Sequence, residues 1–304
     1  IHVAGTNGKG SIAAMLSSIL TQAGYTTGMY TSPHLLQVNE RMKINGIDIS
    51  NEELLTLAES VRLAVEEMSD PPTEFERITA MALLYFQRRA CQVVVLEVGL
   101  GGRLDATNVI PAPDAAVIAN IALEHTAVLG NTLEQIAREK AGIIKKGSSV
   151  VLYRQSPSVE AVVRDVCQQQ GASLFVTDPA RGRTVSRTLE GQTLNYWDRN
   201  HLFLPLPGAY QAKNAFAALE AVDALGREKG YRISEEAIRR GLALVRWPGR
   251  LEVLRHDPLV LVDGAHNPDG VEALTASLKE YFSKKRLTFV MGVMADKNYV
   301  EMLC

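Results

Sequence analysis

Apolar residues along the chain fall into two patterns, and one of them is a set of short continuous apolar runs. These runs lack the regular alternation of a strand with one hydrated face. Runs of this kind are typical of parallel strands that are buried on both faces of a sheet. A short strand is also predicted in "TTGMYTS", and the apolar runs lie at residues 93–96, 115–121, 150–153, 259–262 and 287–291.

The second pattern has apolar residues at helical spacing. The first predicted helix carries Ile12, Met15, Leu16, Ile19 and Ala23 at this spacing, and Gly24 follows as its C-cap. Strands that alternate with helices predict an α/β fold with a doubly wound, mostly parallel sheet of the P-loop type. The other predicted helices lie at residues 51–68, 79–89, 133–145, 158–170, 214–229, 234–243 and 269–282.

One segment, "VRWPGRLEVLRHDP", has the composition of a domain boundary, with Pro, Gly and charge between a helix and a new strand. We therefore expect a first domain at residues 1–252 and a second, smaller Rossmann-like α/β domain beginning at residues 253–304. Ile1 falls inside an expected strand, and the chain stops shortly after another. This pattern indicates a piece of a longer protein, in which the second domain is cut short.

Composition and charge exclude several classes of protein. The chain of 304 residues is 46% hydrophobic and 22% charged, which is ordinary for a globular protein. Its net charge of -2 gives no field that would attract nucleic acid or an anionic membrane. Cys91, Cys167 and Cys304 form neither a disulfide framework nor a metal-binding spacing. With no apolar run of membrane-spanning length and no signal peptide, we expect a cytoplasmic protein that binds neither nucleic acid nor a membrane.

The glycine-rich segment "GTNGKGS" lies between the first strand and the first helix, but it departs from the usual P-loop pattern. Gly10 stands where a hydroxyl residue belongs, and Val3 stands where the first glycine belongs. The loop's backbone N–H groups and the helix N-terminus are suited to bind an anion. Lys9 is able to reach β- and γ-phosphates, and Ser11 is able to bind Mg²⁺. The alternative is a tight strand–helix turn without a ligand.

Polar residues follow several predicted strands at the carboxyl edge of the sheet, where ligands bind in open α/β folds. Glu97 resembles the acidic residue that holds Mg²⁺ after a Walker B strand, and its alternative is a hydrated carboxylate at a strand end. His125 is either a ligand or a structural histidine. The complete set at these strand ends is Ser32, Glu97, His125, Asp263 and His266.

Lys140 lies on the apolar face of the helix predicted at residues 133–145, together with Leu133 and Ile136. Its amine either reaches water at the end of a buried stem or is itself buried with a lowered pKa. A neutral amine is able to take up CO₂ and become a carbamate. The product would be an oxygen ligand for a metal ion in place of a cation.

Nine motifs occur in an order that resembles one family: "GTNGKGS", "TSPHL", "ERM", "TEFE", "EVGLGGRLDATN", "LEH" with a following "LG", "EKAGIIK", "WPGRLE" and "DGAHNP". The chain resembles the folylpolyglutamate synthases and dihydrofolate synthases of the Mur-ligase superfamily along its whole length. The resemblance implies ATP-dependent addition of L-glutamate to a folate or dihydropteroate carboxylate through an acyl phosphate. It also implies an ATP-binding central domain, a C-terminal glutamate-ligase domain and a monomer.

The resemblance implies two ATP-binding groups. The loop group is Gly5, Thr6, Asn7, Gly8, Lys9, Gly10 and Ser11. The group from the domain junction and the second domain is Arg250, Asp263, His266 and Asn267. Of these residues, Lys9, Arg250 and His266 are expected to act in catalysis together with His125 and Lys140.

The resemblance further implies two Mg²⁺ sites, with a monovalent cation as another expected ion. The first site is formed by Ser11 and Glu97. The second is formed by Ser32, Glu97, His125 and carbamylated Lys140. Residues near the pterin end of the substrate are Thr73, Phe75, Asp105 and Ala106.

Two positions depart from the family pattern: Glu124 stands where many members have Asp, and Tyr210 where some have His. Dihydrofolate synthase, folylpolyglutamate synthase and a bifunctional enzyme all remain open, with "RLDATN" favouring an enzyme that accepts dihydropteroate. A Mur-type ligase of UDP-sugar peptides is one alternative, which "TSPHL" and "TEFE" disfavour. An ATP-driven switch or binding module is another alternative.

Overall fold

The computed structural model describes residues 1–294 and 299–303. Strands and helices alternate along most of the chain. The strands are β1 (His2–Ala4), β2 (Thr27–Tyr30), β3 (Met42–Ile44), β4 (Ile47–Asp48), β5 (Val93–Glu97), β6 (Ala115–Ile118), β7 (Ser149–Leu152), β8 (Ser173–Val176), β9 (Gly182–Thr188), β10 (Gly191–Tyr196), β11 (Arg199–Leu204), β12 (Glu252–His256) and β13 (Leu259–Val262). The α-helices are α1 (Lys9–Gln22), α2 (Asn51–Glu66), α3 (Glu74–Arg88), α4 (Thr126–Leu129), α5 (Leu133–Ala141), α6 (Pro157–Gln170), α7 (Ala209–Lys229), α8 (Glu235–Leu244), α9 (Pro268–Phe282) and α10 (Tyr299–Leu303).

The main sheet has eight strands in the order β4-β3-β2-β5-β1-β6-β7-β8. Six neighbouring strands, from β2 to β8, pair in parallel, whereas β3 and β4 add an antiparallel edge. Every residue of β1, β6 and β7 is buried. The predicted α/β fold with a mostly parallel sheet is therefore confirmed.

Helices cover both faces of this sheet, which explains why its strands lack alternation. Within β6, Val117 packs with α1, α7 and α8, whereas its neighbours Ala116 and Ile118 pack with α5 and α6. A third apolar cluster lies beneath α2 and α3. None of the described helices is both long and apolar enough to cross a membrane.

Several helix boundaries differ from those predicted; α7, for example, begins at Ala209 and not at residue 214. Local capping explains two of the differences. Helix α3 begins before residue 79, because Thr73 and Glu76 form a capping box at its N-terminus. Helix α5 ends at Ala141 and does not continue to residue 145, because Gly142 follows at its C-cap. Lys140 therefore lies in the last turn of this helix.

The three-stranded antiparallel sheet β11-β10-β9 was not predicted from the sequence. Leu194, Tyr196, Leu202 and Leu204 are fully buried on one face of it. The Tyr196 ring stacks on Phe216 of α7 with 4.4 Å between the ring centroids. The two-residue spacing within each buried pair was a signal for half-buried strands.

Residues after the central domain form the hairpin β12–β13 and then α9. Strand β13 has the predicted bounds 259–262. The strand predicted at residues 287–291 is wrong, because this segment is irregular and Val290 is 99% exposed. Within the described ranges, no strand pairs with it and satisfies its backbone groups. The boundary at residue 252 falls on the first residue of β12 and stays a prediction.

Candidate active site

The glycine loop follows β1 in the middle of the main sheet, and α1 begins at Lys9. Gly8 has a left-handed φ of 90°, which favours glycine. A β-carbon on Gly10 would lie 2.3 Å from the Trp247 ring. Close packing against Trp247 therefore accounts for a glycine at the position where a P-loop carries a hydroxyl.

Two lysine amines converge on one carbonyl of the loop. Lys9 Nζ donates to Gly5 O and Thr6 O at 3.0 Å each, and Lys140 Nζ donates to Gly5 O at 2.8 Å. Lys140 is only 4% exposed, so its amine does not reach water as a snorkelling lysine would. Burial and the nearby positive charge of Lys9 lower the pKa of Lys140 to about 7, against the opposing effects of Glu124 and Asp105.

Glu97 ends β5 and is 5% exposed. The backbone N–H of Ser32 donates to its Oε2 at 3.2 Å. Burial raises the pKa of Glu97, although the positive charges of Lys9 and Arg250 and the hydrogen bond from Ser32 oppose this shift. The structure thus brings the predicted residues Ser32, Glu97, Lys9 and Arg250 into one electrostatic environment.

Ser11 lies in the first turn of α1 and is 3% exposed. Gln211 Nε2 donates to Ser11 Oγ at 3.1 Å, and Asn214 Nδ2 donates to Gln211 Oε1 at 3.0 Å. Both amide residues belong to α7, which follows the small antiparallel sheet. The orientation of the Ser11 hydroxyl therefore depends on a segment distant in sequence.

Asn7 of the loop contacts the segment after β13 through side-chain hydrogen bonds. Asn7 and Asn267 exchange two bonds, at 3.2 and 3.1 Å. Asp269 Oδ2 accepts from Asn7 at 2.7 Å and from Asn120 at 2.8 Å. These contacts attach the start of α9 to the carboxyl edge of the main sheet.

Glu124 joins both predicted histidines. His266 Nε2 lies 3.3 Å from its Oε1, His125 Nε2 lies 3.9 Å from it, and Asn267 donates to it at 3.1 Å. Burial would raise the pKa of Glu124, but these hydrogen bonds and the imidazole charges prevail and lower it to about 2. His125 has a φ of 50° and its side chain is 43% exposed.

Asp263 organises the turn that carries Arg250 and His266. Its carboxylate accepts from Leu251 N and Ala265 N at 2.8 Å each, and from Tyr210 OH at 3.3 Å. Burial and the neighbouring Asp263 charge raise the pKa of Tyr210. Tyr210, which stands where some family members have His, therefore serves as a hydrogen-bond donor.

A pocket of about 290 Å³ lies beside the end of β5. It has an aromatic and aliphatic lining with carboxylates at its margin. All four residues predicted for the pterin end line it: Thr73, Phe75, Asp105 and Ala106. A larger cavity of about 420 Å³, next to the end of α1, contains none of the predicted site residues.

Few side chains near the glycine loop have donor atoms that suit a metal ion. In the part of the chain that the structure describes, no group of three or more His, Cys, Asp or Glu residues is placed to hold a metal ion. Magnesium prefers few protein ligands with hard oxygen donors. The Ser11 hydroxyl and the Glu97 carboxylate fit this preference, and a cation would stabilise the buried Glu97 charge. An unmodified Lys140 would not fit, because its ammonium form has no lone pair and its neutral amine is not an oxygen donor.

A family model described as "Mur ligase middle domain" matches residues 3–222. A second, described as "Mur ligase, glutamate ligase domain", matches residues 249–303. The chain belongs to the Mur ligase family.

Relatives of this Mur ligase have closely related names. The chain is 40% identical to the dihydrofolate synthase/folylpolyglutamate synthase of Bacillus subtilis, an alignment that covers 99% of this chain and 72% of the relative. It is 39% identical to the folylpolyglutamate synthase of Lacticaseibacillus casei, with the same two coverages. The predicted membership of this group is therefore confirmed.

Solved structures agree with this assignment. The Mur ligase chain superimposes on a complex of FPGS, AMPPCP and folate with a TM-score of 0.92 at 37% identity, covering 99% of this chain and 76% of that one. It superimposes on Mycobacterium tuberculosis folylpolyglutamate synthase with ADP with a TM-score of 0.91 at 37% identity, covering 100% and 70%.

Several polar residues of the site were missed by sequence reasoning. Glu124 was noted only as a departure from the family pattern, although it contacts three predicted residues. Asn120 lies two residues after the end of β6, and a polar residue close to a strand end was an available signal. Gln211 and Asp269 gave no such signal, because their partners lie far away in sequence.

Proposed function

We propose that this Mur ligase adds L-glutamate to the carboxylate of a folate or dihydropteroate, using ATP. One observation supports this most strongly. The glycine loop follows β1 and the pterin-type pocket follows β5, and these two strands are neighbours in the sheet. A phosphate-binding loop and an aromatic pocket therefore share one edge, as a phosphoryl transfer between their ligands requires.

The phosphate end of the proposed cleft combines backbone dipoles with fixed positive charge. The N-terminus of α1 and the amides of the loop suit an anion. Lys9 already lies against the loop, and Arg250 lies close enough to affect the pKa of Glu97. Both cations would offset the negative charge of ATP and hold its γ-phosphate in line with the acceptor.

The pteroyl end is the pocket of about 290 Å³ beside β5. Phe75 and Leu104 provide an apolar surface, and the Phe75 ring packs closely against Gly99. Such a mixture of apolar walls and a few polar groups is typical of small-molecule sites. Folate is present in the FPGS–AMPPCP–folate complex on which this chain superimposes with a TM-score of 0.92. We infer that the pterin ring binds here.

The proposed reaction has two steps. A carboxylate oxygen of the pteroyl substrate attacks the γ-phosphorus of ATP, and the bond to ADP breaks to give an acyl phosphate. The amine of glutamate then attacks the acyl carbon, phosphate leaves, and the amine loses a proton. A carboxylate is already nucleophilic, so Lys9 and Arg250 contribute alignment and charge neutralisation. Bound Mg²⁺, held by Ser11 and Glu97, would add neutralisation of phosphate charge; His125 and Ser32 are proposed for a second ion.

Lys140 is proposed to act as a carbamate. The ammonium group would first lose one proton, the freed nitrogen lone pair would attack the carbon of CO₂, and a second proton would then leave the nitrogen. The loss of two protons and the gain of CO₂ convert a cation into an anionic carbamate. Support comes from its burial on an apolar helix face beside Lys9, where a charged amine is costly. An intact-protein mass increase corresponding to one CO₂, absent from Lys140→Ala, would test this proposal.

Phosphate release tests the function as a whole. We expect release only when a pteroyl substrate and L-glutamate are both present with ATP. Dihydropteroate, dihydrofolate and tetrahydrofolate, each with and without glutamate, separate dihydrofolate synthase from folylpolyglutamate synthase. Release that ignores all of these substrates would contradict the proposal and favour an ATP-driven switch. Phosphate release that requires a UDP-sugar peptide in place of the pteroyl substrate would favour a cell-wall ligase.

A cytoplasmic monomer is the proposed state of the enzyme, and the family resemblance supports it. Gel filtration with light scattering would test the oligomeric state. A stable dimer would contradict it.

A further inference from the structure

His2 is a buried polar residue that the proposed chemistry does not use. It lies in β1 at the centre of the sheet and is fully buried. Its Nε2 lies 2.8 Å from Thr107 Oγ1, whereas its buried Nδ1 has no hydrogen-bond partner. A buried nitrogen without a partner is destabilising, and an apolar side chain of similar size would avoid this cost.

The direction of the hydrogen bonds follows from the acceptor at the far end. The Thr107 hydroxyl contacts Asp105 Oδ1, and an ionised carboxylate only accepts. Thr107 therefore donates its single proton to Asp105 and accepts from the N–H of His2. The His2 ring accordingly carries its proton on Nε2. Burial, with the Lys145 ammonium group, lowers the pKa of His2, so the ring is neutral at neutral pH.

The chain of bonds ends at the wall of the pteroyl pocket. Asp105 Oδ1 also accepts from Thr107 N at 3.0 Å, and Asp105 Oδ2 accepts from Leu100 N at 2.8 Å. Leu100 and Asp105 both line the pocket. A fixed Asp105 carboxylate thus defines the shape of the glycine-rich loop between these two residues.

We propose that His2 is a positioning residue, which holds the Thr107 hydroxyl and through it the Asp105 carboxylate that shapes the pteroyl pocket. The inference rests on the proposed function for the identity of the ligand. The hydroxyl of Thr107 has two orientational partners, and removing either one leaves the pocket wall with a less defined conformation. The phosphate end, on the glycine loop, does not depend on these bonds.

Matched substitutions at both positions test the proposal. Thr107→Val keeps the shape but removes the hydroxyl, and Thr107→Ser keeps the hydroxyl. His2→Leu removes the donor, and His2→Gln places an amide N–H near the former Nε2. We expect Thr107→Val and His2→Leu to raise KM for the pteroyl substrate about 10-fold, with kcat and KM for ATP changed less than about twofold. The Ser and Gln variants should stay within about threefold of the wild type.

The double variant His2→Leu/Thr107→Val should be no worse than the worse single variant, because both changes break one chain. Multiplying effects, or an equal rise in KM for ATP, would overturn the proposal. If His2→Leu does not fold, Thr107→Val against Thr107→Ser still tests the hydroxyl, and the ring nitrogens of wild-type His2 still test the donor. Nitrogen-15 chemical shifts of His2 add a readout without turnover: protonation on Nε2 supports the proposal, and protonation on Nδ1 contradicts it.

Different outcomes would contradict the proposed function and the positioning role of His2. If the wild type turns over no pteroyl substrate, the proposed function fails. If the wild type does so and Thr107→Val has the same KM for that substrate, the positioning inference fails while the function stands.

Discussion

Two neighbouring regions of the cleft are held together by different kinds of group. The floor of the glycine loop contains two buried ionisable side chains: Lys140 is 4% exposed and Glu97 is 5% exposed. Burial lowers the pKa of Lys140 and raises the pKa of Glu97, which favours the neutral form of each. The contact between the loop and the start of α9 is formed mainly by the amides of Asn7, Asn120 and Asn267, with Asp269 as an acceptor.

The floor and the amide contact differ in whether their interactions serve the proposed chemistry or the fold. Buried charges destabilise a protein unless they are fully paired, so their presence at the floor calls for a functional reason. Amide hydrogen bonds contribute modestly and can form and break between two parts of a chain. Neutral substitutions at the floor should therefore separate activity from stability, whereas substitutions at the amide contact should lower both slightly.

The largest effect is expected at Lys140. Lys140→Met should lower the rate of ligation about 1000-fold, and added bicarbonate should not restore it, because no amine remains to form a carbamate. Lys140→Ala should behave alike in this assay. Coupled phosphate-release assays with both substrates present measure the loss. Full activity of either variant would contradict the proposed role of Lys140.

Lys140→Met should be more stable than the wild type in CO₂-free buffer. The pKa of Lys140 is 10.5 in its ordinary state and about 7 in the folded protein, so below pH 7 the wild type bears the full cost of a buried charge. Between these values the unfolded chain binds more protons, and wild-type stability rises with pH. The advantage of Lys140→Met should thus be on the order of 1–3 kcal/mol near pH 6 and vanish above about pH 10. Exposed Lys146→Met is the control and should show no such pH dependence.

Glu97→Gln should be nearly inactive and more stable than the wild type at neutral pH. Because burial raises the pKa of Glu97 above 4.5, the folded state binds more protons than the unfolded state just above that value, and wild-type stability falls as pH rises through this window. The gain should disappear below about pH 4.5. Urea unfolding at pH 4 and pH 7 measures it. Glu236→Gln, at a carboxylate whose side chain is 80% exposed, is the control.

A smaller effect is expected at Ser11, the proposed Mg²⁺ ligand next to Gln211. Ser11→Ala should raise the Mg²⁺ concentration needed for half-maximal turnover by about 10-fold. The variant should still fold, with about 1 kcal/mol lost from the free energy of unfolding because buried Gln211 Nε2 loses an acceptor. A magnesium titration at saturating ATP is the measurement. An unaltered magnesium response would remove Ser11 from the proposed site.

The smallest effect is expected at the amide contact. Asp269→Ala removes an acceptor shared by Asn7 and Asn120, which should raise KM for ATP about threefold and lower the free energy of unfolding by about 1 kcal/mol. Exposed Glu272→Ala on the same helix is the matched control. A loss as large as that of Lys140→Met would erase the distinction between the two regions.

The central sheet was predictable because its strands are buried on both faces and its helices are capped by local residues. The antiparallel sheet β9–β11 was not found although its apolar residues alternate with polar ones, because each alternating stretch is short and has at most one pair of fully buried apolar residues. The segment at residues 287–291 has a strand's composition, but composition does not supply a hydrogen-bonding partner. The length of α3 was missed because the Thr73 capping box lies upstream of the apolar stripe.

Site residues attached to strand ends were predictable for a geometrical reason. Parallel strands bring their carboxyl ends to one edge, so Glu97 and the glycine loop had to lie near each other. The helix face of Lys140 predicted a buried stem, but the sequence left open whether the amine itself would be buried. Gln211 and Asp269 were not predictable, because only the folded chain places them beside Ser11 and Asn7.

The acyl-phosphate route is tested most directly by oxygen-18 in the carboxylate of dihydropteroate, or of the folate that the enzyme prefers. The carboxylate oxygen that attacks the γ-phosphorus must leave with phosphate when the amide forms. We predict one labelled oxygen in the released phosphate for each amide bond made, detected by mass spectrometry or by the phosphorus-31 isotope shift. Phosphate without label, while amide product accumulates, would contradict the account.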